Sequence, residues 1–304
     1  VGKERLLRDS RASEGSHALM TKQEVLKTYF GYDTFRDGQE ALIDALLAGR
    51  DALGVMPTGA GKSLCYQVPA LMRPGVALVV SPLISLMKDQ VAALKAAGIA
   101  AAYINSSLTA GQQREALRRA ALGMYRIVYI APERLDVPEF LAFARQAELS
   151  LVAVDEAHCV SQWGQDCRPS YLKIADFLER LPTRPPVGAY TATATPQVKG
   201  DMARLLRLQT PVTRVTGFDR PNLRLRCLKP RDKFAALMEV TRRHAGESGI
   251  VYCATRKAVE EVCQRLNAEG VTATRYHAGL ADAERVRNQD EFQYDRVSVI
   301  IATN

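Results

Sequence analysis

Short apolar runs recur along the first two-thirds of the chain, each followed by a polar or glycine-bearing turn. They are 51–55 (DALGV), 76–80 (VALVV), 100–104 (AAAYI), 126–130 (RIVYI), 151–154 (LVAV) and 187–190 (VGAY). Helical patterns lie between them. One is Ala110–Leu122, where Thr109 with Gln112 fits a capping box and Gly123 fits a C-terminal stop. Strands alternating with helices predict a parallel sheet covered on both faces.

The alternation breaks at 208–222 (LQTPVTRVTGFDRPN), which carries two prolines and a glycine. It then restarts. Strands are expected at 223–228, 249–253, 271–276 and 297–302, with helices near 232–244, 256–269 and 281–292. This divides the chain into a solvated tail at 1–19, a first α/β domain at 20–210 and a second at 211–304. The chain stops on the end of a strand, so the second domain reads as incomplete.

In open parallel sheets, ligands sit at the carboxyl ends of the strands. The sequences there are MPTGAGKS after 51–55, SPLISLMKDQ after 76–80, APERL after 126–130, DEAHCVSQWG after 151–154 and TATAT after 187–190. Five polar clusters therefore fall on one edge of one sheet. Structural turns do not need that much polar chemistry in one place.

The first cluster has the chemistry of a phosphate loop. Thr58 precedes Gly59 and Gly61, which let backbone amides turn inward around an anion. Lys62 reaches β- and γ-phosphates, the Ser63 hydroxyl suits Mg²⁺, and the helix beginning there adds its N-terminal partial charge. The strict G-x-x-x-x-G-K-[ST] pattern fails at one position, where Met56 replaces the first glycine. Asp155 and Glu156 close an apolar strand: one acid to hold the metal of a nucleotide, the other to orient or deprotonate the attacking water. An acidic helix start is the plainer reading of that pair.

Other residues admit two readings each. His158 either couples the site to its surroundings or is a satisfied core histidine. Thr191, Thr193 and Thr195 either link the nucleotide site to a second ligand or simply end a strand. In 30–40 (FGYDTFRDGQE), Tyr32 and Arg36 suit the two faces of a flat base and Gln39 its edge; the alternative is ordinary packing. In 161–171 (SQWGQDCRPSY), the single Trp163 stands with Arg168 and Tyr171, suited to stacking on single-stranded nucleic acid or to packing on the core.

Composition narrows the setting. The chain has 304 residues, 47% hydrophobic and 24% charged, enough for two ordinary cores. No apolar run approaches the ~20 residues of a membrane-spanning helix, so no membrane partner is expected. Six cysteines form no C-x-x-C pair, which argues against a metal site or disulfide framework and for a reducing compartment such as cytoplasm or nucleoid. A net charge of +8 favours a polyanionic partner.

Together these residues resemble the RecQ family of superfamily 2 helicases, from about Leu26 to Asn304. FGYDTFRDGQ resembles its adenine-recognition motif, MPTGAGKSLCYQVPA motif I, SPLISLMKDQ motif Ia, and AVDEAHCVSQWG motif II with an aromatic-rich loop. YTATAT is similar to motif III, VYCATRKAVEEV to motif IV, YHAGL to the stretch after it, and VIIATN to the start of motif V. The resemblance implies a P-loop NTPase of two RecA-like α/β domains, with ATP and Mg²⁺ as cofactors. It implies 3′→5′ translocation on single-stranded DNA and unwinding of partial duplexes, in repair and recombination. By position, Tyr32, Arg36 and Gln39 hold adenine, Lys62 and Ser63 hold phosphate and Mg²⁺, Asp155 the metal and Glu156 the water. Trp163, Arg168 and Tyr171 sense DNA.

Several departures stand out. Gln165 and Cys167 replace the family's usual His and Phe in the aromatic loop, and a lost ring forfeits ~1–3 kcal/mol of stacking per base. Asp37 replaces a usual Pro. The arginine-bearing motif VI is not found before Asn304, and such an arginine contributes ~10³–10⁵-fold in related NTPases. The resemblance therefore predicts an N-terminal helicase portion that binds nucleotide but hydrolyses it poorly. An RNA-remodelling ATPase and a non-hydrolysing nucleotide- and DNA-binding module are the alternatives.

Overall fold

A computed structural model describes residues 20–164, 167–217 and 223–303. The tail expected at 1–19 lies outside them. The chain divides into two compact units at 220/221.

The first unit begins with α1 (Lys22–Phe30) and α2 (Gln39–Leu47), followed by β1 (Ala52–Val55) and α3 (Leu64–Met72). Then come β2 (Val76–Val80), α4 (Ile84–Ala96), β3 (Ala101–Ile104), α5 (Ala110–Ala121), β4 (Ile127–Ile130) and α6 (Pro138–Gln146). It ends with β5 (Leu149–Val154), α7 (Lys173–Glu179), β6 (Val187–Thr191), α8 (Pro196–Leu205) and β7 (Val212–Val215). The strands form one sheet, ordered β3-β4-β2-β5-β6-β1-β7, with every pairing parallel. The carboxyl ends of all seven strands therefore share one edge.

Side-chain alternation splits the core into two layers. Val76, Leu78, Val80, Val152 and Val154 point to one face, where α5 to α8 contribute Ala120, Phe140, Phe177 and Met202. Ala77, Val79, Leu151 and Ala153 point to the other, where α1 to α4 contribute Val25, Leu42, Val68 and Leu94. A strand buried on both faces needs apolar residues at every position, which is why these runs are continuous rather than alternating. The expected capping box on α5 is present: Thr109 Oγ1 accepts from Gln112 N–H, and Gln112 Oε1 accepts from Thr109 N–H at 2.9 Å. Gly123 follows at φ +70°.

Two boundaries differ from the sequence reading. Residues 212–215, assigned to the second domain, form β7 and pair with β1 of the first sheet. Asp51 fixes this corner, because its buried carboxylate accepts from Arg184, Val187 N–H and Gln209 N–H. Residues 223–228 (LRLRCL), expected as a strand, form neither strand nor helix. Their alternation gives one apolar face, but a strand also needs a neighbour for its backbone groups, and Leu225 stands 98% exposed.

The second unit comprises α9 (Lys233–Arg243), β8 (Gly249–Tyr252), α10 (Arg256–Ala268), β9 (Ala273–Tyr276), α11 (Asp282–Gln293) and β10 (Val299–Ala302). Its parallel sheet has the order β8-β10-β9. Val259, Leu266, Val299 and Ile301 form its small core. The α/β class with a smaller second unit agrees with the sequence reading. Among the described residues, no helix is long and apolar enough to cross a membrane.

Candidate nucleotide site

A cavity of about 320 Å³ opens at the carboxyl edge of the first sheet. Its lining includes Tyr32, Arg36, Gln39, Thr58, Gly59, Gly61, Lys62, Ser63, Asp155 and Glu156, together with residues such as Thr34, Leu64 and Leu86. The first ten belong to the residues the sequence singled out.

The loop between β1 and α3 owes its shape to two glycines, Gly59 at φ +82° and Gly61 at φ +79°. A Cβ on Gly61 would lie 2.5 Å from Gln39 Nε2, so this position excludes side chains for two reasons. Met56 explains the imperfect motif. Its side chain is fully buried beneath the loop, with Cys65 Sγ 3.8 Å from its sulfur. Its backbone is not in the left-handed region, so no glycine is required there. Lys62 Nζ donates to the Met56 carbonyl at 3.1 Å.

The segment expected to hold a base also supports this loop. Gln39 is buried; its Nε2 donates to the carbonyls of Ala60 and Gly61 at 3.1 and 3.0 Å, and its Oε1 accepts from Arg36 N–H at 2.8 Å. The Arg36 guanidinium donates to the Gly59 carbonyl. Tyr32 is half exposed at the rim.

The acids occupy different environments. Asp155 is buried, and desolvation, reinforced by the neighbouring Glu156 charge, pushes its carboxyl up to about 6. Glu156 is held below the usual range, first by its hydrogen bond with His158. Glu156 also adopts φ +47°, ψ +44°, a left-handed conformation that costs a non-glycine residue about 1–2 kcal/mol. His158 Nδ1 lies 2.8 Å from Thr191 Oγ1 and 3.2 Å from Glu156 Oε2. The Thr191 hydroxyl spends its proton on the Thr193 carbonyl at 3.2 Å, and an ionised carboxylate only accepts. Nδ1 therefore carries the proton. Contacts with Cys159 Sγ (3.9 Å) and Glu156 raise His158 above the usual imidazole range, against the effect of burial.

The loop after the acids divides in two. Trp163 is 70% exposed and, with Thr193 and His158, borders a second hollow. Gly164 is obligatory there, since a Cβ would sit 2.4 Å from the His158 carbonyl. Arg168 is half-buried and its Nη1 donates to the Pro82 carbonyl at 3.1 Å. Cys167 is exposed, and Gln165 lies outside the described residues. Tyr171, expected to face DNA, is instead fully buried and donates to the Asp155 carbonyl at 2.8 Å. A ring with no accessible face cannot stack on a base.

Sequence reasoning gave no role to Tyr66 and Gln90, which also line the cavity. Gln90 Oε1 accepts from Gln67 Nε2 at 3.0 Å, and the same Nε2 donates to Tyr129 Oη at 3.1 Å. Polar residues inside apolar helices at 64–72 and 84–96 were the available signal.

The parallel α/β architecture, with a glycine loop and two acids at its carboxyl edge, agrees with the comparisons. Residues 36–200 match the family model described as DEAD/DEAH box helicase, and residues 232–304 match the helicase conserved C-terminal domain. The chain belongs to the DEAD/DEAH box helicase family. The RecQ resemblance is borne out within it. The chain is 46% identical to the ATP-dependent DNA helicase RecQ of Bacillus subtilis, over 93% of this chain and 48% of that protein. It is 42% identical to the Pasteurella multocida RecQ, over 98% and 48%. The chain thus spans about half the length of these relatives. At fold level it is similar to S. cerevisiae Dbp5 bound to Gle1 and IP6 (TM-score 0.69, 19% identity, 95% of this chain and 74% of that one). It is also similar to Mycobacterium smegmatis helicase Lhr bound to ssDNA and AMP-PNP (0.67, 18%, 92% and 41%).

Proposed function

We propose that this protein is an ATP-dependent DNA helicase that moves 3′→5′ on single-stranded DNA and unwinds partial duplexes, in cytoplasmic, nucleoid-associated repair and recombination. The observation that carries this reading is the cavity itself, where the glycine loop with Lys62 and Ser63, the Tyr32–Gln39 segment, buried Asp155 and partly buried Glu156 meet. Tyr32 and Arg36 flank adenine, and Gln39 ties that segment to the loop that takes the phosphates. Lys62 leaves the Met56 carbonyl for a phosphate oxygen.

The residues fit Mg²⁺. Asp155 is a desolvated acid facing a polar cavity, an arrangement that a divalent cation relieves. Ser63 and Asp155 would hold the ion, which supplies charge neutralisation for the phosphates. Glu156, ionised and oriented by His158, takes the proton of the attacking water. Trp163 offers a ring to bases of the strand, and Arg168 a cation. His158, Thr191 and Thr193 link that surface to the acids.

The test is steady-state ATP hydrolysis with single-stranded DNA, with single-stranded RNA and with neither, beside Lys62→Ala. Stimulation by DNA above RNA, abolished by Lys62→Ala, is the expected result. Greater stimulation by RNA identifies an RNA remodeller. Nucleotide binding without turnover in the full-length protein identifies a binding module. Residues 1–304 alone are expected to turn over slowly, since no motif VI arginine segment is among them.

A further inference from the structure

The buried hydroxyl of Tyr171 acts on one particular peptide group. The carbonyl it meets, at 2.8 Å, belongs to the peptide joining Asp155 to Glu156. The N–H of that same peptide donates to Asp155 Oδ1 at 3.0 Å. Both polar ends of the peptide plane are therefore held. The orientation of that plane sets ψ of Asp155 and φ of Glu156. With φ at +47°, Glu156 sits where glycine is at ease and glutamate is not. Turning the plane over would relieve the strain and break the N–H bond that holds Asp155 Oδ1, releasing that carboxylate. Something must oppose that turn, and the phenol does so from inside the core.

We propose that Tyr171 is a positioning residue for Asp155, its hydroxyl locking the Asp155–Glu156 peptide so that the carboxylate held by that peptide's N–H stays aimed into the nucleotide cavity. This rests on the function proposed above. Tyr171 is suited to the task. Its ring packs in the core layer with Phe177 and Val154, so it has no freedom to withdraw. Burial pushes its pKa well above the usual phenol value, so it remains a proton donor. The chain leading to it is fastened to the same turn, with Arg168 N–H donating to the Cys159 carbonyl at 2.9 Å and Ser161 N–H to the His158 carbonyl at 3.1 Å.

The test compares the full-length wild-type protein with Tyr171→Phe, which keeps the ring and removes the bond. Thr109→Ala serves as control, because it loses a helix cap remote from the acids. For Tyr171→Phe, kcat for DNA-stimulated ATP hydrolysis is expected to fall at least ten-fold. KM for ATP and affinity for single-stranded DNA stay within about two-fold, and more Mg²⁺ is needed for half-maximal rate. The control keeps its kcat. A kcat within two-fold of wild type overturns the proposal. So does a fall in kcat matched by an equal loss of ATP affinity, or one shared by the control, since either marks general loosening. A wild-type protein without Lys62-dependent hydrolysis removes the function reading, and this inference with it.

Discussion

The two units follow the same alternation of strand and helix, yet their ionisable residues live differently. At the carboxyl edge of the first sheet, Lys62, Asp155 and Glu156 face a cavity. In the second unit the comparable groups satisfy one another. His277, buried after β9, places Nε2 2.8 Å from Glu260 Oε1, while its Nδ1 accepts from Gly279 N–H at 3.1 Å. Arg275 bridges Glu260 and Glu284 at 2.8 and 3.0 Å. Strands β1, β2, β4 and β6 of the first sheet are buried at every residue, whereas Ile250 and Tyr252 on β8 remain exposed. A parallel sheet thus provides an edge; in the first unit the ionisable groups there line a cavity, and in the second they pair with one another.

Substitutions at the two edges should separate these roles. The largest effect is expected from Glu156→Gln, which removes the proposed base while keeping shape. Its kcat should fall at least ~10²-fold with nucleotide binding retained, as measured by hydrolysis and by titration with a fluorescent nucleotide. Asp155→Asn should do the opposite to stability. The folded value near 6 lies above the usual aspartate value, so ionisation costs stability as pH rises from about 4, fully above about 6. In metal-free protein at pH 7.5 the variant should gain on the order of 2–3 kcal/mol, shrinking below about 1 kcal/mol at pH 4. A gain that does not vary between those pH values would contradict the burial of an ionised acid.

Glu260→Ala in the second unit should cost about 1–3 kcal/mol by stranding the His277 N–H and an Arg275 contact. Its nucleotide affinity should match wild type; a loss there would break the comparison. Smaller still, Thr109→Ala should cost ~1 kcal/mol through its lost cap, read by chemical denaturation. Trp163→Ala should leave stability within about 0.5 kcal/mol, because the ring is exposed, while weakening single-stranded DNA binding.

Much of the site was legible because its parts are local. Gly59, Gly61, Lys62 and Ser63 act through backbone geometry that a few consecutive residues specify. Asp155 and Glu156 follow directly from an apolar strand. The misreadings are non-local. Strand β7 needed its partner β1 to be recognised as part of the first sheet, and 223–228 had strand alternation without a neighbour to pair with.

Tyr171 shows the division most sharply. Sequence placed a tyrosine after two acids, a tryptophan and an arginine, and in space that tyrosine meets the Asp155 carbonyl. Whether its ring faced solvent or core depended on how the loop folds back over the acids, which no local pattern encodes. Periodicity and motif spacing by themselves determined the parallel α/β class, the sheet edge where the polar clusters gather and the glycine loop between β1 and α3. Only the tertiary structure decided which polar groups are desolvated, which are paired and which face a cavity. Burial and hydrogen bonding are set by residues distant in the chain, whereas turns and strand faces are set by residues adjacent in it.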